Sequence, residues 1–335
     1  MVTLPSRKKA NVLAVYSIGS LLLIIGLFTS IVIGVTDISA GSSIKSLFVW
    51  TGSKEQLIIQ TLRLPRALVG GLVGAGLAVA GAIMQALTRN PLASPQVFGI
   101  NAGASLAVVA SVVLVSSATS IHLVYFAFAG AAFGGAIIYF CASAGGLTPV
   151  KLALAGMSIH FLLSSLTQGL ILFDENATDV LFWLAGSLNN SNWNAVQQLL
   201  PWSIIGLTTA ILLSGSISIL GLGDETSKSL GQRVALIRLA ASAIVIILAG
   251  SAVSVTGPIG FIGLMVPHIV RKMVGQDYRV ILPLSALFGA VVLTYADALA
   301  RLLAYPFETP VGIVTALIGG PFFLYLARKE RGIKR

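Results

Sequence analysis

Two ionisable side chains stand inside runs too apolar to hold them cheaply. His160 lies within Lys151 to Phe173, and Asp297 within Ile281 to Ala304. An aspartate at mid-membrane depth costs at least ~2.5 kcal/mol on insertion scales, so each group needs a partner or water. Together they could relay protons. Asp297, in YADALAR, precedes Arg301 by four residues, and an i,i+4 ion pair on one helical face is the preferred reading for it. His160 belongs to a stripe: Gly156, His160, Ser164 and Gln168 recur every fourth residue and share a face. That face either borders a path or hydrogen-bonds a neighbouring helix. His268, in VPHIVR, reads as a packing or interface residue rather than a ligand.

Catalytic machinery is missing from the sequence. No G-x-x-x-x-G-K-[ST] loop occurs, and the nearest look-alike, GLGDETSKS from Gly221, lacks the Gly-Lys pair, so ATP cannot be hydrolysed here. H-E-x-x-H and G-x-S-x-G are absent too, which argues against an intramembrane enzyme. Cys141 is the single cysteine; it permits no disulfide within the chain, and no Cys/His cluster has metal-ligand spacing. No metal and no cofactor are therefore expected on this chain.

The elements that must position these groups are membrane helices. Apolar residues make up 56% of the 335 and charged residues 10%, far from the roughly one quarter charged of soluble domains. The apolar stretches are continuous rather than alternating, which excludes a barrel. Ten candidate spans follow: Val12 to Ile33, Arg63 to Ala86, Val97 to Val115, Leu123 to Ala142, Lys151 to Phe173, Ala195 to Ile217, Ala235 to Val255, Pro258 to Met273, Ile281 to Ala304 and Pro310 to Ala327. The fold class is thus all-α, a ten-helix transmembrane bundle forming one domain over residues 1–335. The first span follows Arg7, Lys8 and Lys9 but is too long for a cleaved signal, so it is read as a retained helix.

Charge sets the orientation. Arg7, Lys8, Lys9, Arg89, Lys151, Lys228, Arg233, Arg238, Arg271, Lys272, Arg279 and the basic C-terminal residues fall on the N-terminal side, which the positive-inside rule makes cytoplasmic, with both termini there. The opposite side receives Lys45, Lys54, Arg63, Arg66 and Arg301, with Glu55, Asp174, Glu175, Asp179 and Glu308. Topology thus explains the net charge of +10, and no nucleic-acid partner is expected.

Packing signals are equally local. Gly70, Gly74, Ala78, Ala82 and Ala86 give the second span a face without bulk, suited to close approach of another helix; in an assembly it would serve a homodimer or a heterodimer. Asn90, Pro91 and Pro95 then stop that helix. Pro258, Gly260, Gly263 and Pro267, in GPIGFIGLMVPH, mark the eighth span as short or broken and hence internal.

The RLPR start, the MQALTRNPLASP run and the GINAGAS restart, with further matches from Gly257 to Leu326, resemble the FecCD-type permease subunit of iron-siderophore, haem or cobalamin ABC importers. The resemblance implies a multi-pass protein of the bacterial cytoplasmic membrane, paired with a second permease subunit, identical or paralogous. ATPase subunits at the cytoplasmic face would carry the ATP and Mg, and an extracytoplasmic substrate-binding protein would deliver the cargo. A ferric siderophore is the first choice of cargo; haem and cobalamin share the motifs. The resemblance also implies docking of the delivery protein's glutamates by Arg63, Arg66 and Arg301, whose planar forks suit carboxylates; snorkelling anchors are the plainer use. It implies ATPase coupling through Gly223, Asp224, Glu225, Ser229, Leu230 and Gly231, and a translocation path lined by Gly156, His160, Ser164 and Gln168 with Gly312, Thr315 and Gly319. His160 departs from the small apolar residue expected there. A proton-coupled secondary transporter using His160 and Asp297 is the rival reading.

Overall fold

A helix with so many small residues gains little from hydrophobic burial in lipid and associates through close van der Waals contact instead. In the computed structural model that helix is the hub. The structure describes residues 6–34, 36, 38–49, 52–114, 120–143, 149–173 and 183–332; among these the elements are helical, with no strand. In chain order they are α1 (Ser6–Val32), α2 (Ala40–Phe48), α3 (Lys54–Ile58), a π-helical turn (Ile59–Arg63), α4 (Leu64–Thr88), a 3-10 turn (Pro95–Phe98), α5 (Ile100–Leu114), α6 (Ser120–Ser143) and α7 (Pro149–Phe173). There follow α8 (Trp193–Leu212), α9 (Ser214–Gly221), α10 (Asp224–Ser229), α11 (Val234–Thr256), α12 (Ile262–Val274), α13 (Tyr278–Leu303) and α14 (Val311–Gly332).

Each candidate span overlaps a helix, although Pro258 to Phe261 of the eighth precede α12. By length and composition, six helical segments among the described residues can cross a membrane, and three more are apolar but shorter. The sixth candidate span is not continuous, however: it breaks at Leu213 into α8 and α9, where the Ser214 hydroxyl donates back to the Ile211 carbonyl at 2.6 Å. α2 and α3 were not anticipated. Each is capped by a serine, Ser39 accepting from the Ser42 N–H and Ser53 from the Gln56 N–H. Asp174, Glu175 and Asp179 lie outside the described residues.

α4 is buried along nearly its whole length against α13, α11, α12 and α8. A methyl group on Gly74 would collide with the carbonyl oxygen of Gly289 in α13, and one on Gly289 with that of Gly74. On another side of α4, a methyl on Gly81 would collide with the carbonyl of Gly263 in α12. The small-residue face thus packs within the chain and is not available to a second subunit, which corrects the use proposed for it above. A second crossing of the same kind joins α5 to α6, with Gly103 against Gly130 and Gly99 against Gly134.

The breaks have local causes. Pro65 offers no N–H to the carbonyl four residues back, and the helix widens there into the π turn, the Leu64 N–H reaching the Ile59 carbonyl instead. α4 ends at Arg89 in the left-handed conformation, φ 49°. The chain from Gly257 to Phe261 turns before α12, whose 13 residues begin beside the middle of α4; Phe261 at φ 67° and buried Ile262 to Pro267 make the segment internal, as expected.

Candidate functional site

α4 carries a charged cluster at each end. At its N-terminal end the cluster begins with a deficit in another helix. The last carbonyls of α1 have no intrahelical donor, and α1 has no basic residue in its final turn. Two arginines from elsewhere supply the missing donors. Arg63 donates to the carbonyls of Ile31 (2.9 Å), Val32 (2.7 Å) and Thr36 (2.5 Å). Arg301 donates to the carbonyls of Ser30 (2.9 Å) and Ile33 (2.6 Å) and to the Ser30 hydroxyl (2.7 Å).

Arg301 also pairs with Asp297 at 2.7 Å, the i,i+4 contact expected from YADALAR. Arg66 takes the other oxygen of Asp297 at 2.9 Å, Glu308 at 2.8 Å and the Asn189 side-chain oxygen at 3.1 Å. Arg63, Arg66 and Arg301 are only 5%, 7% and 4% exposed, and Asp297 1%. The outward guanidinium forks expected for docking are therefore corrected: all three point inward, because uncapped carbonyls and a buried carboxylate claim them first. Glu308 and Asn189 belong to this cluster. Nothing in the spacing of the sequence signals their approach to Arg66.

At the opposite end of α4, Arg89 pairs with Asp224, and Arg238 at the start of α11 donates to both Asp224 oxygens at 3.0 and 3.1 Å. Partial desolvation pushes the Asp224 carboxyl up, but the charges and hydrogen bonds of Arg238 and Arg89 outweigh it and hold the carboxyl below its ordinary range. Asp224 opens α10. Gly223 before it has φ 124°, a conformation natural only to glycine. Beyond the helix, the N–H of Gly231 returns to the Lys228 carbonyl and that of Gln232 to the Ser227 carbonyl, with Gly231 at φ 77°, a Schellman stop. Ser229 donates to the Thr226 carbonyl at 2.9 Å. Glu225 and Leu230 stand in the open, Leu230 at 60% and nearby Leu222 at 66%. The outcome is a short, rigidly ended helix offering apolar side chains at a polar end of the molecule, braced to α4 and α11.

The stripes expected along a path divide differently. On α7, Gly156 is buried, His160 and Ser164 half-buried and Gln168 exposed; the Nδ1 of His160 is hidden without a hydrogen-bond partner, and its ring meets Phe161 edge-on. On α14, Thr315 is buried, Gly319 lies under the Phe261 side chain, and a methyl on Gly312 would collide with the Ala185 carbonyl. Gly312, Thr315 and Gly319 thus face into the chain, a correction with a simple cause: faces without bulk are where helices approach. The large side chains on the open faces are apolar, Leu154, Phe161 and Leu166 on α7 and Ile313, Leu317 and Leu324 on α14, with Ser158, Ser165 and Gln168 exposed among them on α7.

Among the described residues no group of His, Cys, Asp and Glu could hold a metal ion. Residues 22–329 match the FecCD transport family. The chain belongs to that family. It is 59% identical over 98% of both chains to the Fe(3+)-citrate import system permease protein YfmD of Bacillus subtilis, and 45% identical to the iron(3+)-hydroxamate import system permease protein FhuB of the same organism, over 93% of this chain and 82% of that one. Among solved structures, an inward-facing metal-chelate type ABC transporter superposes with a TM-score of 0.84 at 28% identity, over 94% of this chain and 99% of the other. The all-helical architecture is that of an ABC importer permease, and FecCD membership with several apolar helices makes this a multi-pass membrane protein.

Proposed function

We propose that this chain is the membrane-spanning permease subunit of an ATP-driven importer of ferric chelates, ferric citrate or a siderophore, in the cytoplasmic membrane, with α10 and both termini facing the cytoplasm. The observation that carries the reading is the brace on Asp224. A short helix with exposed leucines, tied by one carboxylate to the C-terminal end of the hub helix and the N-terminal end of α11, is a handle through which an ATPase subunit can move the bundle. Energy comes from hydrolysis of ATP, bound with Mg, on that subunit. Iron enters as cargo, and the large apolar side chains of the open faces suit a bulky chelate that must not be held tightly.

A second permease subunit covers the open faces of α7 and α14, with the path along their shared axis, so that Gln168 and the apolar residues of both faces, rather than Gly312, Thr315 and Gly319, border it. The substrate-binding protein docks at the end bearing Arg63, Arg66 and Arg301. There the arginines hold the rim in shape, and part-exposed Glu308 marks where the cluster meets solvent. A proton relay through Asp297 is disfavoured, since two guanidiniums already occupy its oxygens.

Reconstitution in proteoliposomes with the cognate ATPase and binding protein tests this. ATP-dependent uptake of ferric citrate or a ferric hydroxamate is expected, abolished by Asp224→Ala. Accumulation without ATP would overturn the reading.

A further inference from the structure

Beside the braced helix lies a cleft of about 590 Å³ whose lining includes Arg89, Leu222, His268, Arg271, Lys272 and Tyr278. It is walled by the end of α4, by α9, by the last turns of α12 and by the start of α13. Three of its lining residues are cations and none is a carboxylate. Two acids adjoining lining residues are already engaged: Asp224 meets the charges of Arg89 and Arg238, which leaves Arg271 and Lys272 as the cleft's uncompensated cations, and Asp277 accepts from the Ser218 hydroxyl and the Arg279 N–H. The C-terminal dipole of α12 favours two cations there, but it neutralises only about half a charge.

Arg271 is held in place rather than swinging free. One terminal nitrogen donates to the Gln85 side-chain oxygen at 2.8 Å, and the guanidinium lies 5.9 Å from the Tyr278 ring centre. Its Nε is buried without a hydrogen-bond partner. Lys272 beside it is exposed. A fixed guanidinium and an exposed ammonium in one concavity make a site for a carboxylate.

We infer that this cleft receives an acidic side chain of the ATPase subunit, a second contact beside α10. The inference rests on the proposed function. Continuity decides the occupant: Arg89 and Leu222 belong both to the cleft and to the surroundings of α10, so a subunit seated on the handle covers the cleft's mouth. The contact would make α12, and through Gly263 and Gly81 the hub helix, respond directly to movement of the ATPase.

The test uses the permease in nanodiscs with its cognate ATPase subunit. Lys272→Glu, at an exposed position, is expected to weaken ATPase binding about tenfold at low salt, with a shallower salt dependence, while Lys272→Arg keeps wild-type affinity. A zero-length carbodiimide is expected to join the Lys272 amine to an aspartate or glutamate of the ATPase subunit, read by mass spectrometry. Unchanged affinity in Lys272→Glu, or no such adduct, overturns the inference. So does a loss seen in nanodiscs of anionic phosphatidylglycerol but not of phosphatidylcholine, which would assign the cleft to lipid headgroups. If the wild-type chain binds no ATPase at all, the proposed function itself fails.

Discussion

Arg66 and Asp297, 231 residues apart, meet at 2.9 Å with both side chains almost wholly buried, joining the first turn of α4 to the last turns of α13. Arg301, one turn further along α13, meets the same carboxylate at 2.7 Å while capping α1. One carboxylate therefore organises three helices, and desolvation makes the arrangement sensitive to losing a member: removing one partner of a buried pair strands the rest.

Asp297→Asn leaves two buried guanidiniums facing a neutral amide. A loss of about 3–5 kcal/mol is expected, as for other buried pairs broken on one side. Thermal unfolding of the purified protein in detergent reads it. The triple reversal of Arg63, Arg66 and Arg301 to glutamate, which an outward-facing reading would leave folded, should fail to yield a monodisperse protein. Normal folding with loss of delivery alone would return these arginines to a docking role.

Gly81→Val should force α4 and α12 apart, since the new side chain would meet the Gly263 backbone rather than a flexible side chain. Overpacking of this kind costs typically 1–3 kcal/mol, occasionally more. Gly71→Val is the control, because nothing lies within 4 Å of the added atom. Equal melting temperatures for the two variants would refute the close approach.

Acid should loosen α10 and not the bundle. The Asp224 carboxyl sits below its ordinary value of 3.8, so its contribution is fully present above that value and is lost as pH falls through the lower folded value. Amide exchange in α10 should be flat from pH 8 to pH 5, apart from the intrinsic rate, and rise below about pH 4. Asp224→Asn should show the loosened state throughout.

On α14, cysteines introduced in a Cys141→Ser background should separate the two faces. Leu317→Cys is expected to react with maleimide in the isolated chain and to become protected, or to cross-link, once the second permease subunit binds. Thr315→Cys should stay unreactive in both states, since Thr315 is 3% exposed and Leu317 64%. Protection confined to Thr315→Cys would reverse the assignment of faces.

Sequence alone determined what is local. Continuous apolar runs dictate helices in a membrane, glycine at every fourth position dictates close packing, and proline with asparagine after Thr88 dictates a stop, because each effect acts within one or two helical turns. The Asp297–Arg301 pair was legible for the same reason. Tertiary structure decided which way the polar and small faces turn. Arg63 and Arg66 could as well face solvent by sequence; the carbonyls of α1 and the carboxylate of Asp297, both remote in the chain, draw them inward. Gly312, Thr315 and Gly319 form a smooth stripe that reads equally as the wall of a path or a packing surface, and Phe261 and Ala185 fill it. Arg89 lies 135 residues before Asp224 and Arg238 lies 14 after it, and only the folding of α10 back against α4 and α11 makes them one site.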